Sequence, residues 1–182
     1  MTDLSRLAAS LSDAGGDGPL PVERWHPAHC GSMDLVIRAD GSWWHEGVRM
    51  ARPQLVRLFS RILRKDEDGY VLVTPAEKIS IEVEDVPFLA VDYDIVDRAW
   101  HFRTNVGDMV RLDAEHPISL RTSPALGQRA PYVLVRGGLE ARLDRPVYYR
   151  MAQELDLDER ARSLVLESAG SRFELPVEDV AE

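Results

Sequence analysis

Val83-Glu84-Asp85-Val86 returns letter for letter as Val177-Glu178-Asp179-Val180, and Arg49, Arg52, Pro53 and Arg57 return at the same spacing as Arg142, Arg145, Pro146 and Arg150. A glycine-bearing turn precedes each proline, Asp40-Gly41 in one half and Gly137-Gly138 in the other. Features repeated in one order at a nearly constant offset mark an internal duplication, so each half has to form the same supersecondary unit.

The first copy spells that unit out. Residues 35–38 read as a strand, Asp40-Gly41 as a hairpin turn and residues 43–45 as the return strand. Pro53 stands at the first turn of a helix whose apolar stripe is Leu55, Leu58, Phe59 and Ile62. Strands at 70–74 and 78–83 follow, matched in the second copy by 164–167 and 172–175. A helix with one apolar stripe must cover the apolar face of a sheet, so the class is α+β and rich in strands.

The halves are unequal. Strand patterns at 88–96, 99–103, 109–112 and 118–121 precede the second copy and enlarge it into a curved sheet or partial barrel capped by the helix at Pro146. In the first of these, Leu89, Val91, Tyr93 and Ile95 are expected to face the core and Asp92 and Asp94 the water. Three segments result: an amphipathic helix and flexible linker over 1–21, a first domain over 22–86 and a larger second domain over 87–182.

Net charge bounds the partners. The chain of 182 residues carries −9, and its lysines are Lys65 and Lys78 alone. A field of that sign opposes a phosphate backbone, which argues against nucleic acid. No apolar run approaches the roughly 20 residues that cross a bilayer, so no membrane partner is expected. With a single cysteine, Cys30, and an N-terminus without a signal-peptide pattern, a cytoplasmic location is the expectation.

His26, His29 and Cys30 fall close together, but a zinc site needs about four ligands, normally from two clusters, and no second cysteine exists. No metal or other cofactor is therefore expected, and Cys30 reads as a buried structural residue. Asp92, Asp94 and Asp97 read as a solvated strand face. No Gly-x-Ser-x-Gly and no phosphate-cradling glycine loop is present. Arg57, Arg61 and Arg64 form a cationic helix stripe, read as a solvated surface with anion or partner docking as the alternative. Arg57 and Arg150 are expected to pair with the acidic segments Glu84-Asp85 and Glu178-Asp179. Two turns hold the densest polar sets: Thr74-Pro75-Ala76-Glu77-Lys78, and Thr104-Asn105-Val106-Gly107-Asp108 with Gly107 at positive φ.

Several of these phrases resemble a bacterial family catalogued as domain of unknown function 1285. They are Cys30-Gly31, Asp40-Gly41-Ser42-Trp43 with Glu46-Gly47, residues 55–60, Val73-Thr74-Pro75 with Glu77-Lys78, and Val83-Glu84-Asp85 with Pro87-Phe88. Thr104-Asn105-Val106-Gly107-Asp108 and Glu115-His116-Pro117 complete the set. The resemblance implies a duplicated two-domain fold, a second domain like pleckstrin-homology folds, a ligand site where the domains meet for a nucleotide-like molecule, and a role in signalling. It brings no activity.

The functional expectation is a non-enzymatic, regulatory small-molecule-binding module. Lys78, Arg103 and Arg49 would face an anionic group, with Asn105 and Asp108 orienting it, Thr74, Glu77 and Thr104 lining the turns and Trp44 stacking. Two alternatives stand beside it. One is an enzyme using Cys30 or a carboxylate–His pair such as Asp108 and His116. The other is a module that binds a protein partner.

Overall fold

The computed structural model describes residues 4–11 and 20–177. The chain divides into two compact units, the first ending at Glu84 but also taking in Gly137–Leu139, and each is α+β and dominated by strands.

The first unit runs α1 (Leu4–Leu11), a single 3-10 turn (Val22–Arg24), β1 (His29–Ile37), β2 (Trp43–His45) and β3 (Val48–Arg49). It continues with α2 (Pro53–Ser60), β4 (Leu63–Asp66), β5 (Gly69–Val73) and β6 (Lys78–Val83). Its six strands lie in the order β3-β2-β1-β6-β5-β4, antiparallel except for the parallel β1–β6 pair. The period-2 alternation buries Leu35 and Ile37 of β1 completely, with Leu72 and Ile79 from the neighbouring strands. Phe59 and Ile62 of the α2 stripe are equally buried, as is Leu7 of α1, which packs on α2 with Leu11 buried beside it.

The second unit holds β7 (Phe88–Val96), β8 (Ala99–Thr104), β9 (Met109–Arg111), β10 (Ile118–Thr122), β11 (Arg129–Arg136) and β12 (Leu139–Leu143). These form one sheet in the order β10-β11-β12-β7-β8-β9. After them come α3 (Arg145–Gln153), which packs on β7, and a separate three-stranded sheet of β13 (Asp156–Asp158), β14 (Ser163–Ser168) and β15 (Ser171–Pro176).

The duplication is present as element order: β1-β2-α2-β4-β5-β6 is matched by β11-β12-α3-β13-β14-β15. Sheet membership separates the copies. In the first, β6 bonds the outer edge of β1 and closes one sheet. In the second, the inserted β10 takes the corresponding edge of β11, so β13 to β15 form a sheet of their own. A strand edge accepts one neighbour.

Several elements differ from the expectation. β1 begins at His29, well before residue 35, and the short strands β3, β4 and β13 lack the alternation that would announce them. Val91 and Ile95 are exposed (40% and 47%), whereas Leu89 and Tyr93 are buried. The cause is a register shift between Ala90 and Asp92, which breaks the alternation, with the far end of β7 running out to the Asp97-Arg98 turn. Cys30 is exposed instead of buried, because the first four residues of β1 are solvent-facing. Residues 12–19, which hold most of the expected linker, and residues 178–180 of the second tetrapeptide lie outside the described residues.

Candidate functional site

The polar phrases sit in turns, and their side chains hold those turns. At the β1–β2 hairpin Asp40 accepts from the Ser42 backbone N (2.9 Å) and from Ser42 Oγ (2.5 Å), which holds its carboxyl below the usual carboxylate range. Ser42 Oγ in turn accepts from Trp44 Nε1 at 2.8 Å, and Arg38 lies over the Trp44 ring at 3.9 Å. Trp44 therefore already carries a stacked cation. Thr74 is buried, and its Oγ1 accepts from the backbone N of Ala76 (3.3 Å) and of Glu77 (3.1 Å). Thr104 does the same for Asp108 N at 2.9 Å, while Asn105 Oδ1 accepts from Leu89 N at 3.0 Å. Gly107 takes the positive φ the turn requires, +95°.

The charged members of the expected set are mostly neutralised. Lys78 Nζ lies 3.3 Å from Asp66 Oδ2, Arg103 pairs with Asp92 at 2.9 Å, and Asp108 pairs with Arg136. Arg49 is exposed on β3, in register with Trp44. Thr74, Glu77, Lys78, Arg49 and Trp44 belong to the first unit, and Arg103, Thr104, Asn105 and Asp108 to the second.

Among the described residues the pairs named for the enzymatic alternatives are not formed. His116 Nδ1 pairs with Asp113 at 3.1 Å, and Asp108 with an arginine, so the Asp108–His116 pair is not formed. Cys30 Sγ donates to the Ala28 carbonyl at 3.3 Å, and among the described residues no base is hydrogen-bonded to it. His29 turns instead to Ser80 Oγ, 2.9 Å away. Among the described residues no group of three or more His, Cys, Asp or Glu could hold a metal ion. The pairing expected of the repeated arginines is also different. Arg150 bonds Asp92 at 2.5 Å, and it is Arg142 that reaches Asp85, at 3.4 Å. Glu84 accepts from Ala39 N.

Arginine is where the site emerges. Arg64, Arg103, Arg121, Arg136, Arg142, Arg150 and Arg172 each face a carboxylate. Arg52 and Arg57 have no such partner among the described residues, and both line a cavity of about 470 Å³ with Ala51, Pro53 and Gln54. Local sequence builds this place. Pro53 starts α2 with no side chain capping it, so the positive end of the helix opens toward the same cavity. Arg52 is the residue just before the helix, and Arg57 lies one turn along it. Two arginines that line one cavity at an uncapped helix start can grip an anion bidentately. The sequence signal was the Arg-Pro step and the Arg57 position. What sets these two arginines apart is the cavity that they line together, which spacing in the sequence does not reveal.

Comparison with known proteins adds the family. The model described as "Domain of unknown function (DUF1285), N-terminal domain" matches residues 20–86. "Protein of unknown function (DUF1285), C-terminal domain" matches residues 87–175. A crystal structure of a DUF1285 family protein from Silicibacter pomeroyi DSS-3 is similar at 38% identity and TM-score 0.85, covering 99% of this chain and 97% of that one. One from Shewanella baltica OS155 is similar at 27% identity and TM-score 0.57, covering 69% of this chain and 94% of that one. No curated protein matches. Among the described residues no helix is long and apolar enough to cross a membrane.

Proposed function

The chain belongs to the DUF1285 family, and from that premise we propose that it is a non-enzymatic module that binds a small, nucleotide-like anion in the cavity at the start of α2. One observation carries the reading: Arg52 and Arg57, neither with a carboxylate partner among the described residues, line one cavity of about 470 Å³ together at the start of α2. That size lies within the range of small-molecule pockets, about 300–1,000 Å³. The lining of Ala51, Arg52, Pro53, Gln54 and Arg57 contains no nucleophile and no general base. Such a site holds its ligand and does not convert it, which suits a regulatory role in signalling.

A thermal-shift series with pyrophosphate, AMP, cyclic AMP and ATP tests this. A ligand at about a hundred times its dissociation constant stabilises the native state by about 2.7 kcal/mol, read as a rise of several degrees. The rise is expected for at least one phosphate compound and is expected to vanish in the Arg52→Ala/Arg57→Ala double variant. No rise with any of the four, or an equal rise in the double variant, contradicts the reading.

A further inference from the structure

A second cavity in the first unit, about 310 Å³, is lined by His29, Asp66, Asp68, Val71, Lys78 and Ser80. We propose that it is a binding site for a small zwitterion of the α-amino-acid class, one carrying an ammonium and a carboxylate on the same carbon.

The sheet register assembles the site. Lys78 and Ser80 share one face of β6, being two residues apart, and Val71 stands opposite Ser80 with Arg64 opposite Val71. Asp66 follows Arg64 by two residues on β4, and Asp68 lies in the turn leading to β5. Arg64 makes one wall rigid. Its Nε and Nη2 donate to the two Asp66 oxygens at 2.6 and 3.0 Å, and its Nη1 donates to the Val22 and Trp25 carbonyls at 2.9 and 2.8 Å. Lys78 is drawn to the same Asp66 Oδ2 at 3.3 Å, and His29 Nε2 is bonded to Ser80 Oγ at 2.9 Å.

What remains unspent defines the ligand. Both Asp66 oxygens are engaged, but Asp68 has no partner among the described residues. The Lys78 ammonium has three N–H donors and spends one. Arg64, which does not line the cavity, answers the charge of Asp66, so the lining offers a carboxylate at Asp68 and a partly free ammonium at Lys78. A dianion would meet Asp66 and Asp68, and a dication would meet Lys78. A molecule with one charge of each sign meets a complement for both: its ammonium on Asp68, its carboxylate on Lys78 with Ser80 and His29 beside it. The volume and the Val71 floor favour a short side chain. This site stands apart from the arginine cavity in both residues and ligand charge.

The experiment is calorimetric titration of the full chain with each standard L-amino acid at about 10 mM, which reveals any affinity of about 1 mM or tighter. The best binder is then compared with its amide and its N-acetyl form, each lacking one of the two charges. Expected is binding by at least one amino acid, weakened about tenfold or more by either blocked analogue and by Asp68→Asn or Lys78→Met. Arg52→Ala is expected to leave it unchanged. Asp68 lies in an exposed turn, so its variant stays folded and decides the matter even if the Lys78 variant does not. Absence of binding by every amino acid, equal binding of a blocked analogue, or full binding by Asp68→Asn overturns the proposal.

Discussion

An arginine keeps its charge at any physiological pH, so what one arginine does differently from another depends on what it faces. Arg142 and Asp85 face each other with side chains 8% and 4% exposed, and the buried Tyr132 donates its hydroxyl to the same carboxylate at 3.0 and 3.2 Å. Removing one member strands the other without water or counter-charge. Arg142→Met is therefore expected to lower the unfolding free energy by about 3–5 kcal/mol in urea titration, and a loss under about 1 kcal/mol would contradict this account. Arg52→Ala and Arg57→Ala, at exposed positions, are expected to stay within about 0.5 kcal/mol of the parent. Hydrogen bonds from Ser42 hold Asp40 below the usual carboxylate range, and those from Arg64, joined by Lys78, do the same for Asp66. A carboxyl whose folded pKa is lowered contributes stability above its unfolded pKa, near 4, and loses it as pH falls through the folded value. Denaturation midpoints are thus expected to hold through neutral pH and fall below about pH 4, less steeply in Asp66→Asn. At this scale the turns were legible, because Thr74, Thr104 and Asn105 act on backbone a few residues away or across one strand pair. Ion-pair partners such as Asp92 for Arg150 depend on the three-dimensional register, which spacing alone does not reveal.

Elements follow the duplicated pattern until an inserted strand intervenes. The Arg-Pro steps, glycine turns and apolar stripe of α2 announced the paired units, since each is a local consequence of backbone chemistry. The separation of β13 to β15 was hidden, because it follows from β10 occupying an edge of β11. So was the exposure of Val91 and Ile95, which a single register shift in β7 decides. Ser168 joins the two sheets of the second unit. It is 1% exposed, accepts from Trp100 N at 2.9 Å and donates to the Leu112 carbonyl at 2.6 Å. Ser168→Ala leaves a backbone donor and acceptor without this partner in a dry place. A loss of about 1–3 kcal/mol is expected in chemical denaturation, and an unchanged midpoint would show that the hydroxyl does not tie the sheets.

Over the whole molecule the charge is −9, yet the proposed ligand is an anion. The two are compatible because reach differs. At physiological salt a charge is screened beyond about 8 Å, so a small anion in the α2 cavity responds chiefly to Arg52, Arg57 and the helix start. A long polyanion spans the acidic surface as well. The protein is accordingly expected to pass unretained through a heparin column at about 0.15 M salt, and firm retention would overturn this charge argument. The arginine cavity itself is tested most directly by recording amide and arginine side-chain N–H resonances while pyrophosphate is added. The account predicts shifts concentrated at Arg52, Gln54, Leu55 and the Arg52 and Arg57 guanidinium signals, saturating with one ligand. Shifts that never saturate, or that gather elsewhere and leave α2 untouched, would contradict it.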